Sequence, residues 1–169
     1  MKQKVLNKTR FEYQDEEYKK PYHHLVSFEN NYRHWDYTSY GLEYFSYVSR
    51  IIDFFSNKNV GKVAEIGCGD GKIILELSKR NPNTIFEGFD LSKRAIAFAK
   101  AFSYDIKNAN FYCTDFNNSN KIYDVILCVE VLEHLPNEKI EKFINTIYKK
   151  LNKKGLLVIT VPTLKITPI

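Results

Sequence analysis

The chain has 169 residues, 44% of them hydrophobic and 27% charged, which suffices for one domain with its own core but not comfortably for two. A net charge of +5, from 25 basic and 20 acidic residues with lysines spread along the chain, disfavours a nucleic-acid interface. The three cysteines are widely spaced, and we expect reduced thiols in a cytoplasmic protein. We expect neither a signal peptide nor a membrane span, since no apolar run is long enough.

Residues 1–42 form a region of their own, polar and rich in aromatic side chains. They show no sustained apolar period, so we expect an arm that packs on the rest of the protein. The domain proper is predicted over residues 43–169. It begins with a helix over residues 43–56, whose apolar side chains fall on one stripe.

From residue 62 onward, short apolar strands alternate with amphipathic helices. The strand segments, in order, are "KVAEIG", "TIFEGFD", "ANFYCTD", "YDVILCV" and "GLLVITV". This alternation predicts an α/β fold, a Rossmann-like doubly wound parallel sheet of five strands with helices on both faces. Ligands bind such sheets beyond the carboxyl ends of the strands, near the switch in strand order. Functional residues are therefore expected at those ends.

A glycine-rich turn follows the first strand in "VAEIGCGDGKI". Its core, residues 67–71, opens a helix, and glycine there permits a tight turn and a close ligand approach. A dinucleotide site requires GxGxxG with a pyrophosphate at the helix N-terminus, whereas here the third glycine comes one residue early. Glu65 and Asp70 would also repel a pyrophosphate. The turn therefore predicts a cationic ligand without phosphate.

Acidic residues also end the next two strands. Asp90 ends the second strand, where a carboxylate can accept hydrogen bonds from two ribose hydroxyls. Asp115 follows the third strand, where it can accept from an exocyclic amine while the ring of Phe116 covers a purine face. Each acid alone could be a helix cap or a turn residue. Together with Asp70, they predict a nucleoside site.

These segments, with "YDVILCVEVLEHLPNE" and "LNKKGLLVITVP", resemble in order and spacing the motifs of class I S-adenosylmethionine-dependent methyltransferases. The resemblance implies S-adenosylmethionine as cofactor and S-adenosylhomocysteine as product. It also implies that the glycines approach the amino-acid portion of the cofactor, that Asp90 holds the ribose, and that Asp115 and Phe116 hold the adenine. The predicted cofactor contacts are Glu65, Gly67, Cys68, Gly69, Asp70, Gly71, Asp90, Leu91, Thr114, Asp115, Phe116, Val129, Glu130 and Arg33.

Three ionisable residues follow the fourth strand in "EVLEHL". If this segment is helical, about 100° per residue places Glu130, Glu133 and His134 on one face. Two carboxylates and an imidazole could there hold a divalent metal such as Mg²⁺. Alternatively, His134 is a general base that Glu133 orients. Both interpretations stay open at this point.

Two methyltransferase subfamilies have a similar segment. One comprises ubiquinone-biosynthesis-type O-methyltransferases. The other comprises small-RNA 3′-terminal 2′-O-methyltransferases, whose metal site uses a further histidine beyond the fifth strand. This sequence has no histidine after His134, which disfavours a complete site of the RNA type.

The two ends of the chain carry further expectations. Many small-molecule methyltransferases fold an N-terminal arm over the cofactor, so we expect residues 1–42 to act as a lid. Arg33 or a nearby tyrosine would then meet the cofactor carboxylate, and His23 or His24 would face the acceptor. Class I methyltransferases usually continue past the fifth strand with a helix and an antiparallel strand pair, which this sequence lacks. We therefore expect an exposed fifth strand, which fits a truncated chain, a natural short form, or a chain that pairs with a second copy or a partner; truncation or pairing is favoured.

The sequence thus predicts an S-adenosylmethionine-dependent methyltransferase that acts on a small-molecule hydroxyl, or an amine, by in-line displacement. Such an enzyme mainly aligns nucleophile, methyl carbon and sulfur, and removes a proton. One alternative is an RNA 2′-O-methyltransferase with a metal at Glu130, Glu133 and His134. The other is a non-catalytic, cofactor-binding partner subunit, against which the intact set of glycines and acids argues.

Overall fold

The computed structural model of the chain describes residues 9–21, 23, 39–55 and 58–162. Two single 3₁₀ turns lie among its helices and strands, at Phe116–Asn118 and Leu132–His134. The helices are α1 (Arg10–Glu17), α2 (Ser39–Phe55), α3 (Lys72–Arg80), α4 (Lys93–Phe102) and α5 (Asn137–Lys149). The strands are β1 (Lys62–Ile66), β2 (Ile85–Asp90), β3 (Ala109–Cys113), β4 (Tyr123–Val129) and β5 (Leu151–Thr160).

The strands form one parallel sheet in the order β3-β2-β1-β4-β5. β1 lies between β2 and β4, with Glu65 opposite Gly88 on one side and Leu127 on the other. The chain winds away from β1 in both directions, so the carboxyl end of β1 lies at the switch in strand order, where such sheets bind ligands. The predicted doubly wound fold is confirmed.

Apolar side chains cover both faces of this sheet. Side chains alternate along a strand, so Val63 of β1 enters one core and its neighbour Ala64 enters the other. The first core joins the sheet to α2, α3 and α4, and the second joins it to α5. The helices contribute to the first core the side chains of Val48, Ile51, Phe55, Ile73, Ile74, Leu77, Ile96 and Ala99. The second core contains Ile147 of α5 together with Ile66, Phe89, Phe116, Tyr123 and Ile126.

The start of α4 lies where the sequence favours a helix end, whereas the end of α5 does not. Ser92 caps α4, as its position suggests, by accepting from the backbone N–H of Ala95 at 3.1 Å. The last helix ends at Lys149, well before Gly155, although a glycine is the residue at which the sequence favours a helix end. Lys150 donates to the carbonyls of Asn117 and Ser119, a contact between distant segments that no local pattern shows.

β5 forms one edge of the sheet, and within the described ranges no strand pairs with its outer side. Leu156 is 40% exposed and Ile159 is 38% exposed, so the prediction of an exposed fifth strand agrees with the structure. None of the described helices has both the length and the apolar character needed to cross a membrane.

Candidate functional site

The glycine loop between β1 and α3 is built on left-handed backbone. Gly67, Gly69 and Gly71 have φ angles of +69°, +54° and +81°. This region costs any other L-residue about 1–2 kcal/mol. The amides of Gly67 and Cys68 donate to the carbonyl of Phe89 at 2.8 and 3.1 Å, which ties the loop to the end of β2. The sequence therefore needs glycine here for the conformation itself.

Space around two of these glycines is also filled. A Cβ atom on Gly71 would lie 2.8 Å from the ring of Phe111 and 3.0 Å from Ala99, inside the first core. A Cβ atom on Gly69 would collide with the hydroxyl of Tyr18, at the end of α1. The absence of a side chain on Gly71 thus permits close packing against Phe111 and Ala99, and its absence on Gly69 lets the N-terminal arm approach the loop.

Three of the predicted carboxylates surround this loop and are buried. Glu65 is 3% exposed, Asp70 is fully buried and Asp90 is 6% exposed. The two oxygens of Asp90 accept from the backbone N–H groups of Gly69 at 3.0 Å and Ser92 at 2.7 Å. Burial raises the pKa of Asp90, and these backbone hydrogen bonds oppose the shift. Asp90 therefore joins the glycine loop to the start of α4, at the place predicted to hold a ribose.

Glu65 is the least compensated of the three carboxylates. The backbone of Ile74 provides a hydrogen bond, but Oε2 of Glu65 has no hydrogen-bond partner among the described residues. Burial first, and then the charges of Asp70 and Asp90, raise the pKa of Glu65 well above its usual 4.5. An unsatisfied buried acceptor costs about 1–3 kcal/mol. A cation beside it would relieve that cost, whereas a phosphate would add repulsion.

Asp70 accepts two hydrogen bonds from the arm. The backbone N–H of His23 donates to its Oδ2 at 3.1 Å, and Nδ1 of the same residue lies 2.7 Å from Oδ1. Because a carboxylate only accepts, Nδ1 carries the proton of this hydrogen bond. His23 is thus placed on the glycine loop, whereas it was predicted to face an acceptor. His24 and Arg33 lie outside the described residues.

The end of β2 and the end of β3 form the predicted adenine side of the cleft. Leu91 follows Asp90 and is 51% exposed, an apolar surface beside the buried acid. The thiol of Cys113, also exposed, lies 3.6 Å from the carbonyl of Leu91. Thr114 is half-buried, and its hydroxyl accepts from the side chain of Asn118 at 3.0 Å. The ends of β2 and β3 thus place the apolar side chain of Leu91 near the thiol of Cys113 and the hydroxyl of Thr114.

The two residues after Thr114 behave differently from one another. Asp115 is exposed, and its Oδ1 accepts from the backbone of Asn117 at 2.7 Å, so it caps the 3₁₀ turn. Phe116 is only 4% exposed and packs edge-on against Phe89 in the second core. The 3₁₀ turn thus folds the Phe116 ring into the core beside α5, and the contact of this ring with a purine stays a prediction.

At the end of β4, Val129 is buried in the first core and Glu130 has a left-handed backbone, with φ of +53°. The backbone N–H of Glu130 donates to the carbonyl oxygen of Thr160 at 3.1 Å and contacts its Oγ1 at 3.2 Å. The hydroxyl of Thr160 donates in turn to Oε1 of Glu130 at 2.8 Å. Burial raises the pKa of Glu130, as does the charge of Glu133, while Thr160 and His134 oppose the shift.

The segment after Glu130 differs from its prediction. It is a single 3₁₀ turn at Leu132–His134, so the predicted helical face does not form. Glu130 turns toward β5, and Oε1 of Glu133 lies 3.9 Å from Nε2 of His134. In the part of the chain that the structure describes, no three His, Cys, Asp or Glu side chains converge in a manner that could hold a metal. The geometry does not support a metal site at Glu130, Glu133 and His134.

Three residues near the site were not predicted. They are Asp15 and Tyr18 of the arm and Thr160 at the end of β5. Asp15 accepts a hydrogen bond from Ser92 at 2.6 Å and pairs with Arg94 at 3.3 Å. All three act across long sequence separations and stand in no recognisable motif, so local pattern gives no signal for them.

Comparison with known protein families matches residues 40–166 to a methyltransferase domain family. The chain belongs to this family. The match of the methyltransferase domain includes all five strands, the glycine loop and the segment after β4, and it begins beyond α1. The family predicted from the succession of motifs is confirmed.

Several proteins resemble this methyltransferase domain. A ubiquinone biosynthesis O-methyltransferase of Rickettsia canadensis is 27% identical over 121 residues, which are 70% of this chain and 49% of that protein. The plantazolicin methyltransferase BpumL, solved with a triazolic desmethylPZN analog and S-adenosylhomocysteine, has 29% identity and a TM-score of 0.57, and the match covers 68% of this chain and 45% of that chain. The N-methyltransferase NodS from Bradyrhizobium japonicum has 24% identity, a TM-score of 0.61, and coverage of 73% and 69%, and its likeness shows the fold alone. The chain spans about half the length of the curated relatives it matches.

Proposed function

We propose that this methyltransferase domain transfers the methyl group of S-adenosylmethionine to a hydroxyl group of a small-molecule acceptor. The observation that carries the proposal is the buried carboxylate cluster around the glycine loop, in which Oε2 of Glu65 accepts no hydrogen bond from any residue that the structure describes. Buried carboxylates favour a ligand that carries positive charge and no phosphate. S-adenosylmethionine, with its sulfonium and ammonium groups, fits that description, and a dinucleotide does not.

The residues present fit the parts of this cofactor. Glu65 would lie nearest its ammonium group, Asp90 would accept from the ribose hydroxyls, and the left-handed glycines leave room for close approach. Leu91 offers an exposed apolar surface to the adenine, with Asp115 nearby to accept from its amino group. When bound, the cofactor supplies a methyl group on a positively charged sulfur, already activated for displacement.

The chain's own task is then to align the acceptor and remove its proton. We infer that His134 takes this proton, with Glu133 orienting the imidazole. What supports this role is their position, since His134 lies in the 3₁₀ turn directly after β4, at the carboxyl edge of the sheet, and Glu133 is its neighbour. In this proposal no metal takes part, because the nearby side chains do not converge on one point.

Oxygen is favoured over nitrogen as the methylated atom. The relatives that support this choice are named as O-methyltransferases, one of ubiquinone biosynthesis and one of malonyl-[acyl-carrier protein]. The RNA 2′-O-methyltransferase alternative depended on the metal site, which the geometry does not support. The partner-subunit alternative has no observation in its favour.

Three expectations from the sequence remain proposals. Residues 1–42 form a lid over the cofactor, with Arg33 near its carboxylate, and residues 43–169 form the catalytic domain. The exposed β5 pairs with another chain, which sedimentation analysis would reveal as a dimer or a complex. The protein acts in the cytoplasm, where its three thiols stay reduced.

The test of the proposal is formation of S-adenosylhomocysteine from S-adenosylmethionine in the presence of small hydroxylated acceptors, such as phenols and carboxylic acids. Product formation that requires both the acceptor and His134 would support it. Binding of S-adenosylhomocysteine without turnover on any acceptor class would favour the partner-subunit alternative instead.

A further inference from the structure

The N-terminal arm contacts the domain at two points, the start of α4 and the glycine loop. Asp15, in α1, accepts from the hydroxyl of Ser92 at 2.6 Å. His23, beyond the helix, donates twice to the buried Asp70. We call the described residues from Asp15 to His23 the strap. Asp90 joins the two attached regions, because its carboxylate accepts from the backbone N–H groups of both Gly69 and Ser92.

Between these attachments the strap lies directly on the glycine loop. Tyr18 is 4% exposed, and its hydroxyl occupies the space that a side chain on Gly69 would need. The ring of His23 approaches the same glycine, with its Cε1 atom 3.5 Å from the position of that absent Cβ atom. The ring centroids of Tyr18 and His23 are 6.2 Å apart. The two rings therefore form one wall over Gly69.

From this arrangement we infer that His23 is a positioning residue, which latches the strap to Asp70 and so holds Tyr18 over the methionine end of the cofactor cleft. The inference rests on the proposed function, since it assumes that the glycine loop binds S-adenosylmethionine. In this inference, the N-terminal arm closes over the glycine loop at the contact between His23 and Asp70. Release of S-adenosylhomocysteine then requires this latch to open.

The two attachments differ in strength for a physical reason. At the first attachment, the Asp15 carboxylate that accepts from Ser92 is 36% exposed, and its ion pair with Arg94 adds little because the Arg94 side chain is 49% exposed. Asp70 is fully buried, and a hydrogen bond to a buried carboxylate is among the stronger ones in proteins. Loss of the His23 side chain leaves Asp70 with one fewer donor and frees that end of the strap.

The experiment measures the dissociation rate and the dissociation constant of S-adenosylhomocysteine for the full chain and three variants. His23→Ala removes the ring donor, and His23→Asn keeps a side-chain N–H near the position of Nδ1. Lys19→Ala is the matched control, since Lys19 belongs to the strap but its side chain is exposed. We expect His23→Ala to raise the dissociation rate by about tenfold or more, His23→Asn to restore most of the loss, and Lys19→Ala to match the wild type.

A second measurement needs no variant. The amide of His23 donates to Asp70, so hydrogen exchange at that amide should slow further when S-adenosylhomocysteine binds. Equal dissociation rates for wild type and His23→Ala, or exchange at His23 unchanged by ligand, would overturn the latch. Failure of the wild type itself to bind S-adenosylhomocysteine would instead refute the proposed function, so the two failures are distinguishable.

Discussion

Thr160 holds Glu130 at the end of β4 through three hydrogen-bond contacts. Its carbonyl and hydroxyl oxygens face the backbone N–H of Glu130 at 3.1 and 3.2 Å, and its hydroxyl lies 2.8 Å from the Glu130 carboxylate. Glu130 has φ of +53°, a conformation that is strained for glutamate. The end of the edge strand therefore maintains a strained residue at the carboxyl edge of the sheet, beside the segment that carries His134.

Replacement of Thr160 tests this support. Thr160→Val keeps the shape of the side chain and removes the hydroxyl, so we expect it to lower the free energy of unfolding by about 1–2 kcal/mol and to reduce turnover. Thr160→Ser keeps the hydroxyl and should retain most of both. Urea denaturation and steady-state turnover measure the two effects. Equal stability and turnover in Thr160→Val and wild type would show that the Thr160 hydroxyl does not stabilise Glu130.

The buried Glu65 should make stability depend on pH. Its pKa is raised in the folded protein, so between the usual value of 4.5 and that raised pKa the folded state holds a proton that the unfolded state has lost. Stability therefore falls as pH rises through this window. Glu65→Gln removes the titration, and we expect the variant to gain stability over the wild type as pH increases from about 5 to about 8.

The measurement is the free energy of unfolding of both proteins, by urea, across that pH range. Asp90 also has a raised pKa and is present in both proteins, so the difference between them reports the titration of Glu65 together with its coupling to Asp70 and Asp90. The same Glu65→Gln variant should bind S-adenosylhomocysteine more weakly, because its neutral amide cannot pair with the ammonium group. A stability difference that stays constant with pH would contradict the account of Glu65.

Gly71 should tolerate no side chain. An alanine there would have a left-handed backbone and would press on Phe111 and Ala99. We expect Gly71→Ala to lower the free energy of unfolding by about 2–5 kcal/mol. Lys100→Ala, on the exposed face of α4, is the control and should change it by less than about 0.5 kcal/mol. Comparable losses in the two variants would show that the loop is less tightly packed than the structure indicates.

His134 should affect turnover and leave cofactor binding intact. As proton acceptor it would contribute about 10²- to 10⁴-fold to the rate, so His134→Gln should lower kcat by an amount in that range. The dissociation constant for S-adenosylhomocysteine should stay near the wild-type value. Treatment of the wild type with a chelator should not change kcat. Loss of activity on chelation, restored by Mg²⁺, would reinstate the metal site at Glu130, Glu133 and His134.

Sequence patterns could predict the sheet because each strand is an apolar run between recognisable turns. The ligand class of the glycine loop was predictable because its glycine spacing differs from that of a dinucleotide site and its two acids would repel a pyrophosphate. The burial of Phe116 was not predictable, because an apolar residue beside a site can face either the ligand or the core, and the 3₁₀ turn that buries its ring depends on backbone geometry. The helix expected at Glu130 failed because Thr160, distant in sequence, holds that residue in a left-handed conformation.

The contacts of the N-terminal arm were also not predictable from local sequence patterns. The sequence predicted that His23 or His24 faces the acceptor, and it gave no signal for the contact of His23 with Asp70. Its partner Asp70 is 47 residues away, and Asp15 lies 77 residues from Ser92. No periodicity or spacing relates such positions. Contacts of this kind depend on where the folded domain places each surface, and they become visible only in three dimensions.

The central claim is that the carboxylate-lined cleft binds a phosphate-free nucleoside with a positive charge. Asp90→Ala tests it most directly, by calorimetric titration of wild type and variant with S-adenosylhomocysteine and, in parallel, with NAD⁺. We predict that the wild type binds S-adenosylhomocysteine and not NAD⁺, and that Asp90→Ala weakens that binding by about tenfold or more. Binding of NAD⁺ by the wild type, or unchanged affinity for S-adenosylhomocysteine in a folded Asp90→Ala variant, would contradict the claim.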